Sequence, residues 1–468
     1  MLRARLGSQS SVISINTGSN FFTGNVILNT SWASNGNTAG PISVPFYNGN
    51  TAYLQVYGNG AIPAYTGLLL KTDANITNFN AGNLYTYSYS NSSGNAGIHN
   101  NITFDSTGNA YSFFGQSTVA SGIAKLDSSL NLISLTQLAT TSIPTYTVSN
   151  PNSKSQINTD SSDNVYITGE IGSSTNRVMY NIKIDNSGNI QYFNNIDTGS
   201  GAGDLDFEMN TFLTSTHLYI IAQTNDSPTP GTLLKFDTSG NFVWGRKLYV
   251  SSGTGLTRYN SLTVFNNEIY IVGSSKIDGV NNTGIIVKYD IGGNLLWQKI
   301  YGSVMDSFQM IKIYSNEIYV LGNYYSSSKF YITVMKIDID GNIIYSRLLN
   351  ASTLTSGISL SLSDVKNGFI INNNKLNFIG INTTSPIKYF LFVLPTDGSI
   401  PGSGTYLNSG VTFTYTNVTL TASTSNLTSA SRSVTVTSPT YTSTNIISRI
   451  TGTISIPAST YTFNKTYI

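Results

Sequence analysis

Two histidines, His99 and His217, and 22 acidic residues are the side chains from which this 468-residue chain could build a general base or a metal site, because cysteine is absent. A tetrahedral zinc site draws on several Cys or His ligands, and neither histidine has a second one near it in sequence. His217 stands where related stretches carry Asn, at the start of a strand, so it reads as a turn residue and not as a catalytic base. The phrase "KIDIDGN" places Asp338 and Asp340 ahead of Gly341, a fragment of an oxygen-rich calcium loop. The third carboxylate and the later bidentate Glu of such a loop are missing, and the same residues are accounted for by turn chemistry. No metal and no cofactor is therefore expected.

Enzyme signatures fare similarly. A sialidase-type site needs an arginine cluster, a Tyr nucleophile and a Glu partner, and the S-x-D-x-G-x-x-W box is absent. In "DTSGNFVW", Gly240 and Trp244 follow Asp237 at a spacing one residue shorter than in quinoprotein repeats. No motif proposes a carboxylate pair, so the expectation is a protein that is not an enzyme.

What positions these residues is a repeat. The lysine of a K-x-D phrase recurs at Lys71, Lys125, Lys183, Lys235, Lys288 and Lys336, with Val393 at the next equivalent place. In phase with it run "NAYSFFG", "NVYITGE", "HLYIIAQ", "NEIYIVG", "NEIYVLG" and "NKLNFIG", with a weaker copy "TAYLQVYG" at Thr51. Apolar runs of this length ending in Gly are strands, and no segment has a helical period. Each unit reads as four strands whose last two are joined by a D-x-x-G-N turn: Asp bonds its own backbone and Gly takes φ > 0. Four-stranded sheets recurring about every 50 residues are propeller blades. The fold expected is all-β: a seven-bladed β-propeller over residues 42–407, an N-terminal extended arm over 1–41 and a C-terminal Thr/Ser-rich β segment over 408–468. Ring closure is expected to borrow a strand from residues 20 to 50. Tyr111, Tyr166, Tyr219, Tyr270 and Tyr319, with Tyr192, Trp244, Trp297 and Tyr345, recur once per unit and read as blade-to-blade packing.

The phrases "NEIYIVGSS…GIIVKYDIGGNLLWQKIYG" and "DNVYITGEI…NIKIDNSGNIQYF" resemble the bacterial and phage β-propeller repeat family known as SBBP, which implies a propeller and no particular chemistry. The junction "LPTDGS-x-x-G-x-x-x-Y…FTY" followed by Thr/Ser heptads is similar to structural proteins of marine tailed phages. The opening "ARLGSQSSVISI" resembles the arms by which such proteins attach to their particle. The resemblance implies a virion structural protein, a fibre or capsid decoration displayed on the particle surface, whose partners are other virion proteins, copies of itself in an oligomer such as a trimer, and host-surface glycans or proteins. The alternative is a secreted or cell-surface bacterial propeller that binds carbohydrate or protein.

Charge agrees with a surface protein that avoids nucleic acid. Only 10% of residues are charged, against about 25% in ordinary domains, and 24 basic against 22 acidic residues leave a net +2. No basic cluster supplies a phosphate-binding footprint. No stretch reaches the roughly 18 apolar residues of a membrane span, so membrane insertion is not expected either. The first acidic residue is Asp73 and the last is Asp397, which marks the ends as different from the middle. In the C-terminal segment Leu420, Leu427, Val434 and Tyr441 are spaced seven apart, each followed by Thr. Without a second apolar position per heptad a coiled coil is disfavoured, and an odd period cannot hold one face of a flat strand. Those four residues are assigned to self-association or docking through a β stalk.

Overall fold

The computed structural model describes residues 98–399 apart from 116–120, 129–131, 140–155, 174–175, 198–206, 225–228, 251–255, 277–281, 302–306, 352–356, 361–368, 373 and 383–387. Outside that span it describes the strands at 22–27, 46–48, 51–58, 66–73, 84–87, 403–405, 412–417, 422–424, 428–432, 435–437, 442–445 and 462–467. Among the described residues every regular element is a strand. The arrangement is a β-propeller of successive antiparallel sheets.

One unit explains the rest. Thr257–Phe265, Glu268–Ser275, Thr283–Asp290 and Leu295–Tyr301 pair in chain order from the inside of the ring outward. The two middle strands are buried along almost their whole length, because neighbouring blades cover both faces of the sheet. That is why they read as continuous apolar runs and not as alternating ones. Five apolar clusters fill the gaps between consecutive blades. In one of them Ile221, Leu233 and Leu248 of one blade meet Tyr259, Ile271 and Val287 of the next.

Six blades share this build, not the seven equivalent ones expected: residues 98–139 (blade 1), 156–197 (blade 2), 207–249 (blade 3), 257–301 (blade 4), 307–351 (blade 5) and 359–395 (blade 6). Residues 46–87 form a four-stranded sheet against the inner strand of blade 1, without the additional outer strand of the others. After Lys71 and Asp73 comes "ANIT", which lacks the D-x-x-G-N turn of residues 185–189, 237–241, 290–294 and 338–342; blade 1 reads "DSSLN" there and lacks the Gly as well, so the Gly alone does not decide which units are complete.

Phe22–Ile27 lies in the stretch expected to lend a strand for ring closure, and it lends it to blade 6 and not to the first unit. It pairs antiparallel with Lys388–Pro395, so the N-terminal region supplies the outer strand of the last blade. The C-terminal segment departs further from expectation. It is not a projecting stalk, and the blades do not end at residue 407. Thr412–Asn417 pairs with the outer strand of blade 5, Ala422–Thr424 with blade 4, Thr428–Arg432 with blade 3, Thr435–Thr437 with blade 2 and Thr442–Asn445 with blade 1. Thr462–Tyr467 then pairs with Phe22–Ile27 on blade 6. The segment is a strap that retraces the blades in reverse order. The physical reason is edge satisfaction: an outer strand exposes unpaired N–H and C=O groups, and Thr-rich segments with high β-propensity supply partners without needing a core. Leu420, Leu427, Val434 and Tyr441 lie outside the described residues. In sequence they alternate with the described strands at 412–417, 422–424, 428–432, 435–437 and 442–445.

Candidate functional site

The residues that recur most strongly form a clasp between blades, and its geometry determines which face is left for function. Each D-x-x-G-N turn is held by its aspartate. In Asp237 one oxygen accepts the N–H of Ser239 and of Asn241, both at 2.9 Å, and the other accepts the Asn241 amide at 2.8 Å. Gly188, Gly240, Gly293 and Gly341 all have φ between 78° and 89°, as the sequence requires.

Directly after the turn a β-bulge inserts one residue: Gln191, Val243, Leu296 and Ile344 in blades 2 to 5. The bulge brings Tyr192, Trp244, Trp297 and Tyr345 opposite Lys183, Lys235, Lys288 and Lys336. Each lysine also faces the Tyr of the second strand across the ladder, its ammonium 5.1 to 5.5 Å from the ring centre. The ammonium then reaches into the next blade. Lys183 donates to Thr238 O at 3.2 Å, Lys235 to Ile291 O at 2.8 Å and Lys288 to Ile339 O at 3.3 Å. The turn glycine's carbonyl is taken from the same side, by Asn194 on Gly240, Arg246 on Gly293, Tyr301 on Gly341 and Arg347 on Gly398. The K-x-D, D-x-x-G-N and aromatic repeats are one device: the third and fourth strands of a blade grip the turn of its successor.

The electrostatics follow. Asn294, through its amide and its N–H, holds the Asp290 carboxyl below the usual range. Burial alone would raise the Asp338 carboxyl, but Asn342 and the N–H of Asp340 outweigh it and hold it low. Lys288 and Lys336 have carboxylate partners, Glu268 and Glu317. Blade 3 carries His217 at that position, and burial pushes Lys235 down, only partly countered by Asp290. His217 itself bonds Thr216 Oγ1 at 2.8 Å and is pushed down first by burial and then by Lys235. It is a strand-start residue whose place in the clasp is that of the missing Glu. Asp338 Oδ1 accepts the N–H of Asp340 and of Asn342, which is the turn bonding found elsewhere. Among the described residues no group of three or more His, Asp or Glu side chains converges on one point.

The opposite face is built differently. Its connections range from the two-residue Ser327–Ser328 turn to 140–155 and 198–206. The sequence did not draw attention to the hairpin of Glu317–Ser326 and Lys329–Ile337, which carries Tyr324 opposite Tyr331 and Tyr325 opposite Phe330. No repeat marks these rings. The only available signal was their departure from the repeat, since the preceding blade has Ser275 opposite Thr283 at the corresponding level.

No family model and no curated protein matches the chain, so nothing supports the SBBP or phage assignment beyond the sequence resemblance. Among solved structures the chain is similar to the polysaccharide lyase Uly1, at 11% identity and a TM-score of 0.48, covering 76% of this chain and 90% of that one. It is also similar to a subtype N10 neuraminidase-like protein of A/little yellow-shouldered bat, at 11% identity and a TM-score of 0.36, covering 62% and 92%. A third is a bifunctional GH43-CE protein of Bacteroides eggerthii, at 10% identity and a TM-score of 0.28, covering 83% and 63%. Values this low assign no activity. The expectation that the chain is not an enzyme is nevertheless corrected: the solved structures it is similar to include a polysaccharide lyase and a GH43-CE protein, and missing sequence boxes do not exclude catalysis.

Proposed function

We propose that the protein is a surface-displayed binding propeller whose loop-bearing face contacts carbohydrate. The observation that supports this is the asymmetry of the two faces. On one, the aspartates, lysines and turn carbonyls of successive blades bond one another, which leaves few free groups to recognise a ligand. On the other, connections differ in length and composition from blade to blade, which is how a rigid scaffold carries a binding surface. A chain rich in Asn, Ser and Thr and only 10% charged suits neutral glycans, which are recognised by hydroxyl and amide groups together with a few exposed ring faces. The sequence resemblance supports display on a tailed-phage particle.

The test is a glycan array probed with the purified full chain, together with mass spectrometry of purified phage particles encoding it. Saturable binding to a defined glycan class is the expected result. Finding the chain in particles supports the virion setting, while its presence only in culture medium or on bacterial cells favours the secreted alternative. No binding to any glycan on the array overturns the carbohydrate reading. Incubating bound polysaccharide and measuring its chain length decides whether binding is accompanied by cleavage.

A further inference from the structure

Among the described residues of the loop-bearing face, the hairpin of blade 5 departs from the repeat. Its strands continue past the level of Asn323 and Ile332 through the pairs Tyr324↔Tyr331, Tyr325↔Phe330 and Ser326↔Lys329 before turning at Ser327 and Ser328. Both turn serines have positive φ, 51° and 61°, positions that Asn and Gly fill more readily.

The two aromatic pairs lie on opposite faces of the hairpin. Tyr324 packs against the cluster between blades 4 and 5, so the Tyr324 and Tyr331 pair, with ring centres 5.7 Å apart, has a structural role. Tyr325 and Phe330 have ring centres 4.8 Å apart and planes inclined at 50°. Tyr325 is 41% exposed, the one aromatic among the exposed large apolar side chains of the described residues. Burial does not explain it. Beside this pair the chain entering blade 6 runs close: Ile358 N donates to Phe330 O at 2.9 Å. Gly357 sits with φ 72° where a Cβ would lie 2.2 Å from that oxygen. The corresponding contact two blades earlier joins Thr229 to Leu256, with no aromatic in it. Around the exposed pair stand the serines of the turn and one charge, Lys329.

We propose that Tyr325 and Phe330 form a stacking platform for a neutral hexopyranose, with Ser326, Ser327 and Ser328 available to bond its hydroxyls. This rests on the carbohydrate reading above and names the place where the sugar sits. The chemistry is that of a pyranose ring, whose C–H face is apolar and whose edge is polar. An aromatic face set among hydroxyls matches both, while among the described residues around the pair the single cation Lys329 is too little charge to select a polyanion.

The experiment is saturation-transfer NMR and calorimetry of the full chain with cellohexaose, laminarihexaose, chitohexaose and polygalacturonate. A neutral hexasaccharide should bind and receive saturation from aromatic protons. Tyr325→Ala and Phe330→Ala should each weaken it at least tenfold with an unchanged melting temperature, Tyr325→Trp should retain it, and Leu296→Ala on the other face should leave it unaltered. Wild-type affinity in both alanine variants overturns the platform while leaving the carbohydrate reading intact. Preference for polygalacturonate overturns the neutral-sugar assignment. If none of the four probes binds the wild-type chain, the platform and the carbohydrate reading fall together.

Discussion

Replacing Gly341 by Val tests whether the turn is a local hairpin feature or part of the contact between blades. At φ 78° a non-Gly residue costs about 1–2 kcal/mol, at the upper end for a β-branched one. A Cβ there would lie 2.9 Å from Tyr301 Oη, 3.0 Å from Lys299 Cδ and 3.0 Å from Trp297 Cη2, all in the preceding blade. Relieving that crowding adds about 1–3 kcal/mol. It also pulls the Gly341 carbonyl away from Tyr301 Oη, now 2.8 Å away, a bond worth about 1 kcal/mol. The total is about 3–6 kcal/mol, compared with the 1–2 kcal/mol of a turn considered alone. With about 2.1 cal/mol/K per residue of unfolding entropy, a chain of this size loses roughly 3–6 °C in melting temperature. Gly292→Ala, in the turn one blade earlier and without positive φ, should change stability by no more than about 0.5 kcal/mol. Differential scanning calorimetry of both, with Tyr301→Phe to isolate the hydrogen bond, makes the comparison. A Gly341→Val chain that melts with the wild type, or a Gly292→Ala chain that loses as much, refutes the argument.

Two further outcomes follow from the same clasp. His217→Glu should stabilise the fold by about 0.5–1 kcal/mol, because it gives Lys235 the partner that Glu268 and Glu317 give Lys288 and Lys336; the gain should vanish in a Lys235→Met background, and its persistence there would assign it to another cause. Acid should loosen the ring through the turn aspartates: Asp105, Asp160, Asp185, Asp237, Asp290, Asp338 and Asp397 are all held below their ordinary range. The folded state therefore binds fewer protons than the unfolded one near and below the unfolded value of about 3.9, so their stabilisation is present above that pH and is lost as pH falls through the folded values. Urea midpoints should drop between pH 5 and pH 3, and a flat profile would contradict the assignment.

The clasp was legible in the sequence because it is made of residues with narrow jobs. Gly240 and Gly341 take a backbone angle few others accept, Asp237 and Asp338 bond their own turns, and Tyr219 and Lys235 must face each other across a ladder. Such constraints recur wherever the blade recurs. The strap was visible only as a period. Seven-residue spacing at Leu420, Leu427, Val434 and Tyr441 could be read, but the pairing of the neighbouring strands with the blades depends on edges that lie far away in sequence. Short Thr/Ser strands carry no local sign of which edge they complete. The blade count erred for a related reason: Lys71 and the Thr51 run matched the repeat, and nothing local in that unit tells that no further strand completes its outer edge among the described residues. Tyr325 and Phe330 went unremarked because a search for what recurs passes over what occurs once.

A stack of similar units that touch only their neighbours ordinarily unfolds piecemeal, its stability close to a sum of local terms. The strap changes that bookkeeping. Strands from one short segment pair with blades 5, 4, 3, 2 and 1 and finally with the N-terminal strand on blade 6, so opening any one blade disturbs a segment shared with the others. It works as a hoop around a barrel: the staves are held by one band as well as by the joints between them. Local fluctuations become coupled and unfolding becomes more nearly all-or-none. Since the band follows all six blades in the chain, blades formed earlier wait with open edges until it has been made.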